Sequence, residues 1–172
     1  MSVFLALDLD EPTRAQLCAL IETHRGTVGA KWLRPDKLHL TLVFLGNATA
    51  DQVAAFTPKL EALATGLRPF SLRLQGAGTF VTARAPSVLW LGVQGQLAEL
   101  AAVQAAAVAT LVGREDRVYA PHVTLARSQV AGAFEPLRAQ LEGFTSPGFE
   151  VNHLTLYEST HHHYRALSRH AF

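Results

Sequence analysis

The sequence predicts an α+β protein built as two similar lobes, each a small sheet with helices on one face. Three observations carry this expectation. Short alternating apolar runs trade places with longer runs of helical period. No Pro/Gly/Ser-rich linker or low-complexity stretch interrupts the 172 residues. A His-x-Thr-Leu tetrapeptide also recurs, first at residue 39 and again 83 residues later, close to half the chain length, as a duplicated strand-helix unit would place it.

The elements follow in order. Val3, Leu5, Leu7 and Leu9 share one face of a first strand. Thr13 sits where a helix can be capped, and Leu17, Leu20, Ile21 and His24 follow at amphipathic spacing until Arg25-Gly26 ends it. Leu38 to Leu45 reads as a strand closed by Gly46-Asn47. Thr49 and Gln52 form a capping box, opening a helix through Leu63 that Pro58 should bend or break. Phe70, Leu72 and Leu74 alternate as a strand, Gly76 and Gly78 mark a turn, and Ser87 to Val93 is a further apolar strand. A helix from Leu97 to Val112 is stopped by Gly113. Strands over His122–Arg127, Val151–Ser159 and Tyr164–His170 complete the chain, with a short helix around Phe134–Leu141.

Composition narrows the function classes. Fifteen basic against fourteen acidic side chains leave +1, with no polybasic arm or acidic tail, which argues against a partner held by bulk charge. The single cysteine, Cys18, cannot form an internal disulfide and lacks any activating neighbour. The N-terminal apolar run lacks a basic flank and meets acids within ten residues, poor for a signal peptide. Ala101 to Val112 is too short for the roughly 20 residues of a membrane span. A soluble, cytoplasmic, monomeric protein is expected.

The chemistry lies in His39-Leu40-Thr41-Leu42, His122-Val123-Thr124-Leu125 and His153-Leu154-Thr155-Leu156. With 8 His, 14 Thr and 26 Leu, random placement gives about 0.1 such tetrapeptides, so three demand an explanation. On a strand, residues two apart share a face, presenting an imidazole and a hydroxyl about 7 Å apart while the apolar neighbours enter the core. Two such strands side by side surround a small anion with two imidazoles and two hydroxyls. That set suits a phosphodiester: one neutral His takes a proton from water, one protonated His gives a proton to the leaving oxygen, and hydroxyls donate to the non-bridging oxygens. The spacing pairs His39 with His122 and leaves His153 and Thr155 as strand residues.

These residues resemble the 2H phosphoesterases, closest to the branch of RNA 2',3'-cyclic phosphodiesterases also called 2'-5' RNA ligases. The resemblance rests on Phe4-Leu5-Ala6-Leu7, on Trp32-Leu33-Arg34-Pro35 leading into Leu38–Gly46, on Val88–Val93, on Pro121–Arg127, and on Leu156-Tyr157-Glu158-Ser159. It implies a bilobal, pseudo-twofold fold, two small antiparallel sheets facing a central cleft, helices on their outer faces, and no metal or other cofactor. It implies His39 as general acid and His122 as general base, with Thr41 and Thr124 on the phosphate. The substrate implied is RNA ending in a 2',3'-cyclic phosphate, tRNA fragments included, opened to a 2'-phosphate, with reverse 2'-5' ligation. Val3, Ser87 and His161-His162-His163 stand where the family more often has Arg, Arg and a Gly.

Arg127 is a further phosphate ligand if its strand twists or ends at Ala126, since odd spacing otherwise places it on the face opposite His122 and Thr124. Trp32, Phe44, Phe80, Trp90 and Tyr157 are the candidates to stack on a nucleobase. His161-His162-His163 reads as a solvated turn, because three consecutive extended residues cannot converge on one ion. Two rival functions are a His-based metallohydrolase and a non-catalytic RNA-end-binding module.

Overall fold

The structure is a computed structural model that describes residues 1–26, 29–81 and 87–172. Among these residues nine strands form two antiparallel sheets. The first sheet has the order β3-β1-β8-β9, from β1 (Ser2–Asp8), β3 (His39–Asn47), β8 (His153–Ser159) and β9 (Tyr164–Ala171). The second has the order β2-β6-β5-β4-β7, from β2 (Ala30–Trp32), β4 (Phe70–Phe80), β5 (Ser87–Gly95), β6 (His122–Ser128) and β7 (Phe149–Val151). Helices α1 (Glu11–His24), α2 (Ala50–Thr65), α3 (Leu97–Leu111) and α4 (Glu135–Gln140) complete the fold. Among the described residues no helix is long and apolar enough to cross a membrane.

The expected α+β architecture with two facing sheets is observed, but the sheets are not the two halves of the sequence. The chain leaves the first half at β2 to pair with β6, and β8 and β9 return from the C-terminal end to the first sheet. The run expected as one strand over Val151–Ser159 is therefore two, because Asn152 carries the chain from β7 in one sheet to β8 in the other.

Three further expectations change. Asp10, not Thr13, caps α1: its carboxylate accepts the Thr13 N–H at 2.9 Å, and Thr13 is fully buried. Helix α2 begins at the Thr49–Gln52 capping box and runs unbroken through Pro58. Pro58 and Ala54 lie on the exposed face, so the Ala54 carbonyl that loses its donor is open to water. Gly76 and Gly78 do not turn the chain; both lie inside β4, Gly76 with φ +71° in a bulge where the register against β5 shifts between Leu74 and Ala77, and Gly78 beyond it in regular pairing. A Cβ at Gly78 would collide with the indole of Trp90, its partner on β5.

The third His-x-Thr motif has a structural role. Asp8, at the end of β1, accepts bonds from His153 Nε2 (2.8 Å), Thr155 Oγ1 (2.8 Å), Tyr157 Oη (2.6 Å) and Arg169 Nη2 (3.2 Å). Burial alone would raise this carboxyl, but the hydrogen bonds from His153, Tyr157 and Thr155 hold it well below the usual carboxylate range. A motif suited to an anion here holds one supplied by the protein.

Two outcomes test this packing. Gly78→Ala should cost about 1–3 kcal/mol in chemical denaturation, because Trp90 has to leave its place. Asp8→Asn should cost about 2–4 kcal/mol at neutral pH, since it removes the charged acceptor of several bonds. The depressed carboxyl contributes stability above its unfolded value of 3.8 that is lost as pH falls through and below it, so the variant should also show a shallower loss below about pH 4.

Candidate active site

The two paired motifs lie on β3 and β6, strands of different sheets that approach each other across the cleft. In β3, Leu40 is buried while His39 and Thr41 are half-buried; in β6, Val123 is buried while His122 and Thr124 are half-buried. Alternation thus lines each strand's cleft face with an imidazole and a hydroxyl.

Each motif then contains a bulge at the same point. The register of β3 against β1 skips Leu42, and that of β6 against β5 skips Leu125. Leu42 and Val43 are both buried, as are Leu125 and Ala126. The residue that follows is returned to the cleft face. This settles where Arg127 lies: the strand neither ends nor keeps simple parity, and Arg127 is exposed on the side of His122 and Thr124. The corresponding residue of β3 is Phe44, 67% exposed.

Both imidazoles are held the same way. His39 Nδ1 lies 2.7 Å from the Lys37 carbonyl and His122 Nδ1 lies 2.7 Å from the Ala120 carbonyl. A carbonyl only accepts, so Nδ1 is the protonated nitrogen in each ring and Nε2 points to the chemistry. His39 Nε2 is 2.9 Å from Thr41 Oγ1, which donates to it while the ring is neutral. Thr124 has no such bond among the described residues.

Aromatic walls fix the rings. Phe4 packs against His39 with centroids 4.9 Å apart, and Tyr164 stands edge-on to His39 at 5.2 Å. On the other side Phe80 stands edge-on to His122 at 4.9 Å and Trp90 lies 6.0 Å from it. Desolvation by this packing pushes His39 down to about 4, opposed by its bond to the Lys37 carbonyl and the charge of Asp8, and assisted by His122 and Arg14. The electrostatic effect of His122 on His39 reflects their sharing one cleft. Tyr119, in the segment that leads into β6, reaches β3: its hydroxyl donates to the Thr41 carbonyl at 3.0 Å.

Two grooves lie at this centre, one lined by motif residues and one beside it. One, of 380 Å³, runs between Thr41, Phe44, Phe80, Tyr119 and His122. The other, of 360 Å³, is bounded by β2, Arg127, Tyr164 and the β8–β9 turn. Of the stacking candidates, Phe44 and Phe80 are exposed in the first groove and Trp32 lines the second; Trp90 packs under His122, and Tyr157 is spent on Phe4 and Asp8. Phe4, Tyr119, Tyr164 and Asp8 are site residues that motif reasoning passed over. Only their position relative to the motifs hints at them: Asp8 is paired in register with His39, and Tyr119 lies three residues before His122. The three histidines at 161–163 are exposed in the β8–β9 turn, and among the described residues no group of three His, Cys, Asp or Glu could hold a metal ion.

Comparison with known proteins agrees with this arrangement. A family profile described as the 2'-5' RNA ligase superfamily matches residues 13–163. An RNA 2',3'-cyclic phosphodiesterase of Escherichia coli is 32% identical over 166 residues, 92% of this chain and 86% of that one. One of Archaeoglobus fulgidus is 30% identical over 129 residues, 74% of this chain and 72% of that one. Among solved structures, TT0787 of Thermus thermophilus superposes with a TM-score of 0.78 at 27% identity, over 99% of this chain and 97% of that one. LigT of E. coli without ligand gives 0.73 at 27%, over 99% and 96%. With the profile spanning most of the chain and both histidine strands inside it, the protein belongs to the 2'-5' RNA ligase superfamily.

Proposed function

We propose that the protein hydrolyses the 2',3'-cyclic phosphate at RNA ends by acid/base catalysis between His39 and His122, without a metal, leaving a 2'-phosphate. The observation that supports this most is the matched pair of imidazoles, each with Nδ1–H bound to a backbone carbonyl and Nε2 turned away from it, in one cleft. Relatives bearing the name RNA 2',3'-cyclic phosphodiesterase, and a LigT structure with 3'-AMP, agree with an RNA end as substrate.

The cyclic phosphate sits between the two Nε2 atoms. His122 takes a proton from the attacking water, and His39 delivers one to O3' as the P–O3' bond breaks. Burial makes His39 a reluctant base when the site is empty but a strong acid once protonated, and the anionic phosphate beside Nε2 supplies the charge that lets it hold a proton. Thr124 donates to a non-bridging oxygen; Thr41 does so after turning from His39, to which it is bonded in the free protein. Arg127 adds a cation on the His122 side, and Phe44 and Phe80 offer faces to the nucleobase. With a 5'-hydroxyl in place of water, the same proton transfers form a P–O5' bond as P–O3' breaks, O5' giving its proton to His122 and O3' taking one from His39, and the two ends are joined through a 2'-5' linkage.

Incubation with RNA ending in a 2',3'-cyclic phosphate in EDTA should yield the 2'-phosphate; loss of turnover in EDTA with rescue by zinc would replace this reading with a metallohydrolase. His39→Ala and His122→Ala should each slow turnover by roughly 10²- to 10⁴-fold, while His153→Ala, which loosens Asp8, stays much closer to wild type. Thr41→Ala and Thr124→Ala should cost about 1–3 kcal/mol of transition-state stabilisation each, with Thr→Ser retaining most activity.

The pH dependence and roles have their own checks. A limb of kcat/KM near pH 4 should report protonation of His39 in the free protein and vanish in His39→Ala. A substrate with sulfur at the leaving 3' position departs without a proton, so it should largely rescue His39→Ala and not His122→Ala. The opposite pattern exchanges the two roles.

A further inference from the structure

The groove beside β2 carries a cost that the fold leaves uncompensated. Lys31 on β2 and Arg127 on β6 are register partners, directly opposite each other on neighbouring strands. Like charges in that relation repel and destabilise a sheet. Neither has a carboxylate within ion-pair distance among the described residues, and none of the residues lining the groove is acidic. Lys37 joins them, its Nζ 4.8 Å above the Tyr164 ring. Arg34 is the one cation of the groove with an acidic partner, Asp36 at 3.1 Å, outside the lining. In a chain of net charge +1, four cationic side chains facing one open groove are a local excess that an anion would relieve.

The groove borders the cleft at Tyr164. Tyr164 forms its wall and stands edge-on to His39, and the bulge in β6 places Arg127 on the face of His122 and Thr124. The opposite groove differs in kind: at the position equivalent to Arg127 it has Phe44, and its walls are largely apolar. The two grooves at the histidine pair are thus chemically distinct, one cationic and one aromatic.

We infer that the cationic groove holds the phosphodiester backbone of the RNA on the 5' side of the terminal nucleotide, so that the enzyme reads a cyclic phosphate as the end of a chain and discriminates against a cyclic mononucleotide. This deepens the proposed phosphodiesterase reading and rests on it. A cyclic mononucleotide fills only the cleft between the histidines. An oligonucleotide extends its next phosphate toward Arg127, Lys31 and Lys37, where it neutralises the facing cations and releases the counterions condensed on its own backbone.

The test compares a nucleoside 2',3'-cyclic phosphate with a tetranucleotide ending in the same group, between about 50 and 200 mM salt. The wild-type protein should favour the tetranucleotide in kcat/KM by about 10- to 100-fold at low salt, with the advantage shrinking as salt rises and the mononucleotide rate changing little. Lys31→Ala should cut that advantage several-fold and flatten the log–log salt slope by about 1, while Lys31→Arg retains both. The same Lys31→Ala change should leave the melting temperature level or raise it, because it removes a cross-strand repulsion, a result that separates lost binding from lost fold. Anisotropy of a labelled tetranucleotide ending in a 2'-phosphate reads the groove independently of turnover. Equal kcat/KM for the two substrates, or binding that ignores both salt and Lys31→Ala, overturns the inference. Lys31-dependent binding without hydrolysis of either substrate overturns the phosphodiesterase reading and leaves the groove standing.

Discussion

Each histidine strand has to bury two consecutive apolar residues, Leu42-Val43 in β3 and Leu125-Ala126 in β6, and a regular strand cannot do so because its side chains alternate faces. The bulge at Leu42 and at Leu125 resolves the conflict by adding one residue that the neighbouring strand does not match. The residues that follow it change face. His39 and Thr41, or His122 and Thr124, stay on the cleft side before the bulge, and Phe44 or Arg127 joins them after it. A hydrophobic constraint in the core therefore decides the polar composition of the cleft.

The cleft is built to hold both imidazoles in one orientation, Nδ1 turned to a backbone carbonyl, and to keep water from most of one of them. Carbonyls two residues upstream bind Nδ1 in both rings, a local device that needs only the extended backbone of the preceding residues. Phe4 and Tyr164 enclose His39, and Phe80 and Trp90 flank His122. The enclosure explains why β1 is buried on both faces over Val3–Leu7: one face enters the core and the other forms the floor beneath His39. Asp8, next to His39 in register, adds a fixed negative charge that partly offsets the desolvation, and it is itself held by the third His-x-Thr strand. The Tyr119 hydroxyl on the Thr41 carbonyl then ties the two histidine strands together across the sheets. The proposed hydrolysis needs both Nε2 atoms at fixed separation, so a bond that spans the cleft bears on geometry that neither sheet controls alone.

Much of this was legible in the sequence because it is local. Periodicity located nine of the strand and helix segments within a few residues; Thr49 and Gln52 announced the start of α2, and Gly113 the end of α3, through bonds made within one turn. The two paired His-x-Thr motifs were legible for the same reason, since residues two apart on a strand share a face whatever the rest of the fold does. Where a local rule met a tertiary demand it failed. Gly76 and Gly78 have turn chemistry but lie inside a strand, because Gly78 makes room for the Trp90 ring. Pro58 has the chemistry of a helix breaker but its cost is met by solvent on the exposed face of α2.

By itself, then, the amino-acid sequence determined the class of elements, the order of all but β2 and the β7–β8 break, the pair of imidazole-hydroxyl strands and the absence of any bulk charge. Only the tertiary structure decided which sheet each strand joins, that Arg127 faces the cleft, that His153 and Thr155 are spent on Asp8, and that Lys31 confronts Arg127. The physical reason is the range of the interactions. Caps and strand alternation are set by residues within one turn or one pleat, whereas register, bulges and cross-strand neighbours are set by hydrogen bonds and packing between segments far apart in the chain. Lys31 and Arg127 are 96 residues apart in sequence and become neighbours only when β2 crosses to the second sheet.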